Sequence, residues 1–206
     1  MSEPCISEPG TQLVVISGPS GVGKDTIIEK LRERHPDPRR HFVVTYKTRE
    51  RRESEQDGVD YHFVSEAAFR ELHAAGQLLE AAEVHGHWSG TPRNQVVEAL
   101  ESGRDAVLKI DVQGARAIRE QAPEALLIFV APPSIEALVG RLRGRGTETA
   151  EDLARRQRDA ADELARQDEY DHVVVNETGL PERTAAEIEE IIRAEHAVHP
   201  DRRICF

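Results

Sequence analysis

A lysine that closes a run of small residues is the first chemistry this chain offers. Gly18-Pro19-Ser20-Gly21-Val22-Gly23-Lys24 spells G-x-x-x-x-G-K. In that spacing glycines let successive backbone N–H groups converge on phosphate oxygens, and the lysine reaches the outer phosphates. A chance glycine-rich turn is the competing reading, but an apolar run precedes the motif and a helical pattern follows it. The residue after the lysine, normally a Ser or Thr whose hydroxyl ligates Mg²⁺, is Asp25. A carboxylate binds Mg²⁺ directly or through water but adds negative charge beside a polyphosphate, so Asp25 is either a modified metal site or a damaged one. Thr26 points about 100° further round a helix and is a poor substitute.

Other groups are less specific. Arg49, Arg51 and Arg52 could be guanidinium forks for a phosphate or a solvated charge run. His85-Gly86-His87 lacks a third ligand at metal spacing and reads as a pair of loop histidines. Trp88, the one tryptophan, either packs locally or flanks a bound ring.

Positioning these residues requires a scaffold, and the apolar pattern supplies one. Leu13-Val14-Val15-Ile16-Ser17 is a short buried-strand candidate that runs into the glycine-rich turn. Thr26 to His35 then places Ile27, Ile28 and Leu31 on one helical face. Further strands are expected at 106–111, 126–130 and 172–175, with helices at about 93–102, 114–121, 134–143 and 181–195. That alternation is the signature of an α/β fold with a parallel sheet. Two stretches break it. Residues 45–91 are polar and strand-like with one short helix near 66–75, as in an inserted lobe. Residues 141–167 are rich in Arg and Glu with little apolar surface, as in an exposed helical hairpin or a lid. The expected partition is a core of 11–44, 92–140 and 168–206, a lobe of 45–91 and a lid of 141–167.

Composition narrows the class. With 206 residues the chain can bury a core without metal or disulfide. Cys5 and Cys205 lie at opposite ends and suggest no disulfide framework, so a reducing, cytoplasmic compartment is expected. No apolar run approaches the roughly 20 residues of a membrane helix, and the acidic N-terminus has no secretory core. A net charge of −11 argues against a general nucleic-acid binder but not against local phosphate chemistry. Only four of the 27 basic residues are lysines, Lys24, Lys30, Lys47 and Lys109. That bias fits a GC-rich genome as well as it fits phosphate-binding arginines.

Taken together and in order, the motifs resemble the guanylate kinase family across most of residues 11–195. The resemblance rests on the phosphate loop, Asp57-Gly58-Val59-Asp60-Tyr61-His62-Phe63-Val64-Ser65, Leu79-Glu80, Glu83-Val84-His85-Gly86 and Ile110-Asp111-Val112-Gln113-Gly114-Ala115. It continues through Ala131-Pro132-Pro133-Ser134, 141–147 and Val173-Val174-Val175-Asn176. It implies a P-loop kinase with a parallel-sheet core, an inserted GMP-binding lobe and a helical lid, transferring the γ-phosphoryl group of ATP to GMP or dGMP with Mg²⁺ in purine nucleotide metabolism. ATP would lie on Gly18 to Thr26, with Asn176 near the adenine edge; an exposed loop asparagine is the alternative there. GMP's phosphate would meet Arg49, Arg52 and Tyr61, and its base Glu80, which accepts from guanine's N1–H and amine, with Thr91 near O6. Thr45 and Ser89 complete the implied GMP set. Asp111 would serve metal or nucleobase beside Asp25, unless it only caps a helix. Lys24, Arg141, Arg145 and Arg156 would stabilise the transferring phosphoryl group.

Departures from the family pattern cluster. Ser89 stands where the family has a second phosphate-binding Tyr, Lys47 where it has Thr, Arg51 where it has Pro, and Lys109 where it has an acid. Lys47 and Lys109 add positive charge close to where Asp25 and phosphates bring negative charge. Two alternatives remain at this stage. Ribose-bisphosphate phosphokinases resemble this family and can carry Asp after the loop lysine, whereas Glu80 and Thr91 suit guanine. A catalytically silent guanylate-kinase-like interaction module would typically have lost the phosphate loop that is intact here.

Overall fold

The computed structural model describes residues 5–84, 86–143 and 158–206. Its first strand, β1 (Leu13–Ser17), is buried at every position. Five consecutive apolar or small residues suit a strand covered on both faces. A glycine-rich turn leads into α1 (Lys24–Arg34) and then a short strand, β2 (Arg40–Phe42). Next come β3 (Tyr46–Lys47), β4 (His62–Phe63), α2 (Glu66–Ala74), β5 (Leu78–Val84) and β6 (His87–Pro92). The remaining elements are α3 (Arg93–Glu101), β7 (Asp105–Lys109), α4 (Val112–Gln121), β8 (Leu126–Ala131) and α5 (Ile135–Arg143). A helical stretch at 158–164 (α6), β9 (His172–Val175) and α7 (Pro181–Val198) complete the chain.

Five strands form one parallel sheet in the order β2-β7-β1-β8-β9. Alternation along β1 divides the core. Val14 and Ile16 pack with Ile27, Leu31 and Ile188 of α1 and α7, while Leu13 and Val15 pack with Val96, Leu100 and Ile118 of α3 and α4. Helices on both faces leave the carboxyl ends of β1 and β7 as the open edge where such sheets bind ligands. A second sheet, ordered β4-β3-β6-β5, holds β3 antiparallel to β6 and β6 antiparallel to β5.

Two expectations are corrected here. Cys5 and Cys205 are bonded to each other across an isolated β-bridge, so distance in sequence was no guide to their distance in space, and the cysteines give no argument for a reducing compartment. The strand expected to run to residue 111 ends at Lys109, and Asp111 is already the N-cap of α4.

Candidate active site

The phosphate loop leaves β1 through Gly18, whose φ is +139° and whose added Cβ would lie 2.3 Å from the Val130 carbonyl oxygen. Only glycine lets this backbone pass so close to β8. The loop ends at Gly23, left-handed at φ +103°, from which α1 begins with its amides pointing back into the turn. Lys24 folds over the loop and donates to the carbonyls of Gly18 at 2.5 Å and Pro19 at 3.1 Å. Burial lowers its pKa, against the attraction of Glu163, Asp25 and Asp111.

Asn176 and Arg141 brace the loop from behind. Asn176 Nδ2 donates to the Val22 carbonyl at 2.7 Å, and its Oδ1 accepts from the Thr184 hydroxyl at 3.1 Å. Asn176 is therefore buried, which removes the exposed-loop alternative. Arg141 donates to the same Val22 carbonyl and to that of Asn176, both at 2.9 Å. Arg145 and Arg156 lie outside the described residues, and Thr26 is exposed on α1.

In front of the loop, Asp25 Oδ1 accepts from Lys109 Nζ at 2.5 Å and from the Tyr61 hydroxyl at 2.7 Å. Burial pushes the Asp25 carboxyl up, but Lys109 and the two hydrogen bonds outweigh it and hold the group well below the usual carboxylate range. Burial and the same carboxylate raise the Tyr61 phenol far above its ordinary value.

The cleft continues along the second sheet. Arg49 forks onto Glu55 at 2.7 and 2.5 Å and lies 5.5 Å from the centroids of the Tyr61 and Phe63 rings. Arg52 stands 3.6 Å from the same carboxylate and donates its backbone N–H to it at 2.9 Å. Lys47, paired in register with Ser89, donates its ammonium to the Ser89 hydroxyl at 2.8 Å. Arg51 turns away, donating to the Glu55 carbonyl at 2.5 Å. Trp88 stacks on Phe69 at 5.8 Å while also lining the cleft.

At the inner end, Glu80 is 5% exposed and accepts from the wholly buried Thr91 hydroxyl at 2.6 Å. Burial, with Asp111 nearby, pushes its carboxyl up to about 7, against the Thr91 hydrogen bond and the Lys47 charge. Asp111 spends one oxygen on capping α4, accepting from the Gly114 amide at 3.1 Å. Its other oxygen is buried without a partner, and so is the Thr45 hydroxyl. Capping and ligand binding are thus compatible in this one residue. The unpartnered Asp111 oxygen lies close to the Glu80 carboxylate, and two such acceptors suit a ring edge that carries N–H donors.

One residue the motifs did not point to joins this group. Glu163 on α6 lines the cleft and accepts from the Ser20 amide at 3.4 Å. Nothing in its Arg- and Glu-rich surroundings sets it apart from neighbouring acids.

Comparison with known proteins agrees with this geometry. The family model described as Guanylate kinase matches residues 10–195. A guanylate kinase from Mycobacterium sp. (strain MCS) is 52% identical over 80% of this chain and 83% of its own length. One from Gloeobacter violaceus is 46% identical over 94% of this chain and 91% of its own. The crystal structure of guanylate kinase from Anaplasma phagocytophilum superposes with a TM-score of 0.73 at 32% identity, covering 92% of this chain and 88% of that one.

Proposed function

This chain belongs to the guanylate kinase family and phosphorylates GMP to GDP at the expense of ATP, and from that premise we propose which of its residues hold each substrate. The observation that carries the assignment is the buried Glu80 carboxylate, oriented by Thr91 and close to Asp111, one oxygen of which is buried without a partner. Ionised Glu80 accepts from guanine's N1–H and amine. Adenine offers neither donor and would leave the carboxylate unpaired in a dry recess, a loss of about 1–3 kcal/mol or more. Arg49, Arg52, Tyr61 and Ser89 face the acceptor phosphate, which makes 45–91 the GMP lobe.

ATP's phosphates are placed on Gly18 to Thr26 at the start of α1, with Asn176 and Arg141 keeping the loop in shape through Val22. Lys24 leaves the Gly18 and Pro19 carbonyls for the outer phosphates. The GMP phosphate oxygen then attacks the γ-phosphorus in line, and positioning and charge do most of the work. Arg145 and Arg156 of the proposed lid, 141–167, supply cations to the transferring group, whereas Arg141, expected to join them, is bonded to the Val22 and Asn176 carbonyls and acts through the loop.

Asp25 and Asp111 are the carboxylates proposed for Mg²⁺. Both hydrogen bonds to Asp25 fall on Oδ1, so its other oxygen would serve an ion held by a carboxylate plus phosphate and water, while Asp111, whose buried oxygen is given to the guanine edge, would favour that ion by its charge. Bound there, Mg²⁺ would offset phosphate charge. No helix among the described residues is long and apolar enough to cross a membrane. A cytoplasmic place in purine nucleotide metabolism, where ATP is available, completes the proposal.

The test is ADP release measured across GMP, dGMP, AMP, UMP and ribose 1,5-bisphosphate. GMP should exceed AMP by about 100-fold or more in kcat/KM, with dGMP accepted. Comparable AMP turnover, or faster turnover of the sugar bisphosphate than of GMP, would overturn the assignment of Glu80.

A further inference from the structure

The cations that line the cleft differ in how they are neutralised. Arg49 and Arg52 share Glu55, and Lys109 is paired with Asp25. Two lysines lack a carboxylate partner: Lys24 is held by the carbonyls of its own loop, whereas the Lys47 ammonium donates to the neutral Ser89 hydroxyl, and among the described residues no carboxylate stands within salt-bridge distance of it. The side chain is half-buried on the cleft wall, and its ammonium sits 5.3 Å from the centre of the Tyr61 ring, whose other cationic neighbours are Lys109 at 4.0 Å and Arg49 at 5.5 Å. Drawing an ammonium out of water without a counter-ion is unfavourable unless an anion completes it.

We infer that Lys47 is a ligand of the acceptor's phosphate, reaching it from β3 while Ser89 on the facing strand steers its ammonium. The inference rests on the reading of the second sheet as the GMP lobe. A dianionic phosphate monoester held by Arg49, Arg52 and Tyr61 would supply the negative charge that Lys47 lacks. Serine at 89 is short enough to leave the space above it to the lysine, whereas a bulky side chain there would displace the ammonium.

The titration of Lys47 gives a readout that a merely structural lysine would not move. Burial lowers its pKa to about 8; Asp111 and Glu80 favour its charge, and Arg49 and Lys109 oppose it. Glu80 is ionised above about 7, and Tyr61, raised well above 10, stays neutral. GMP affinity should therefore fall as pH rises past about 8, approaching tenfold per pH unit. Arginine, which keeps its proton, should abolish that fall.

The experiment is calorimetric titration of GMP, AMP and guanosine into wild type, Lys47→Met and Lys47→Arg between pH 7.5 and 9.5. Guanosine corrects for deprotonation of the guanine ring, which all three proteins experience alike. Lys47→Met should weaken GMP about 10- to 100-fold and leave guanosine within about twofold; Lys47→Arg should bind GMP with a flat GMP-to-guanosine ratio across the range. Unchanged GMP affinity in Lys47→Met, equal weakening of GMP and guanosine, or the same alkaline fall in Lys47→Arg would overturn the inference. Should Lys47→Met fail to fold, the wild-type and Lys47→Arg pH profiles decide by themselves. Equal wild-type affinity for GMP and AMP would count against the guanine reading, while the Lys47 comparison still reports phosphate binding through AMP.

Discussion

The Asp25 carboxylate and the Lys109 ammonium stand 2.5 Å apart, although one opens α1 and the other ends β7. Each departs from the family pattern, and they depart in opposite charge. The contact explains why: a carboxylate placed beside polyphosphate is tolerable when an adjacent strand supplies a fixed cation. The two substitutions form one unit.

Such a unit should show non-additivity. Lys109→Glu leaves two acids facing each other and should lower kcat/KM far more than Asp25→Ser/Lys109→Glu, which restores a hydroxyl and an acid. We expect the double variant to exceed the product of the single effects by about tenfold or more, within the range of contacting pairs. Asp25→Ser should stay active with an altered Mg²⁺ dependence. Additive effects, or an activity indifferent to both Asp25→Ser and Asp25→Ala, would count against the unit and against Asp25 at the metal.

Glu80 gives a pH prediction with a definite sign. Its carboxyl is raised to about 7, so in the free protein the acceptor form is lost as pH falls through that value. Guanosine, which has no phosphate to titrate, should bind more weakly by about tenfold per unit below pH 7 and level off above it. In Glu80→Gln the affinity should be lower by about 100-fold and flat between pH 6 and 8. A flat wild-type profile would place Glu80 outside the binding event.

Gly114 sits where α4 passes the guanine recess. A Cβ there would meet Glu80 Oε2 at 2.8 Å and Asp111 Oδ1 at 3.2 Å. Alanine is the better helix former by about 1 kcal/mol, so Gly114→Ala should leave Tm close to wild type while raising the KM for GMP about tenfold or more by shifting Glu80. A large drop in Tm with KM unchanged would mean that the helix rather than the carboxylate yields.

Lys24→Ala should cut kcat by about 10³-fold while leaving the Kd for GMP nearly intact, since Lys24 lies on the donor loop. Single-turnover rates and GMP titration separate the two. Equal losses in both would mean that Lys24 serves the acceptor as well as the donor.

The scaffold was legible where pattern and burial coincide. The all-apolar β1 and β8, the turn at Gly18 to Lys24 and the face of α1 followed from spacing alone, because each is buried on a period its residues announce. β2 was not foreseen: Arg40-His41-Phe42 is polar, and its place at the sheet edge depends on Glu189 of α7, which clasps Arg40. The same holds in the site. Lys47 and Lys109 stood out as anomalies of type, but the partners that give them meaning, Ser89 and Asp25, come from other elements. The Cys5–Cys205 bond likewise depends on both ends meeting beside the core, a fact of topology that spacing does not encode.

The position of β1 at the middle of its sheet also sets a timetable. It is made long before its hydrogen-bonding neighbours β7 and β8, which begin at Asp105 and Leu126. Until residue 109 has been made β1 has no sheet partner, and until residue 131 its second edge is open and the phosphate loop lacks the Val130 backbone it packs against. Nascent chains halted before β8 should therefore be rich in chaperone-binding surface and poor in nucleotide binding, and long-range pairing of this kind is slow to form. Synthesis has to pass β8 before the loop that follows β1 can take its working shape.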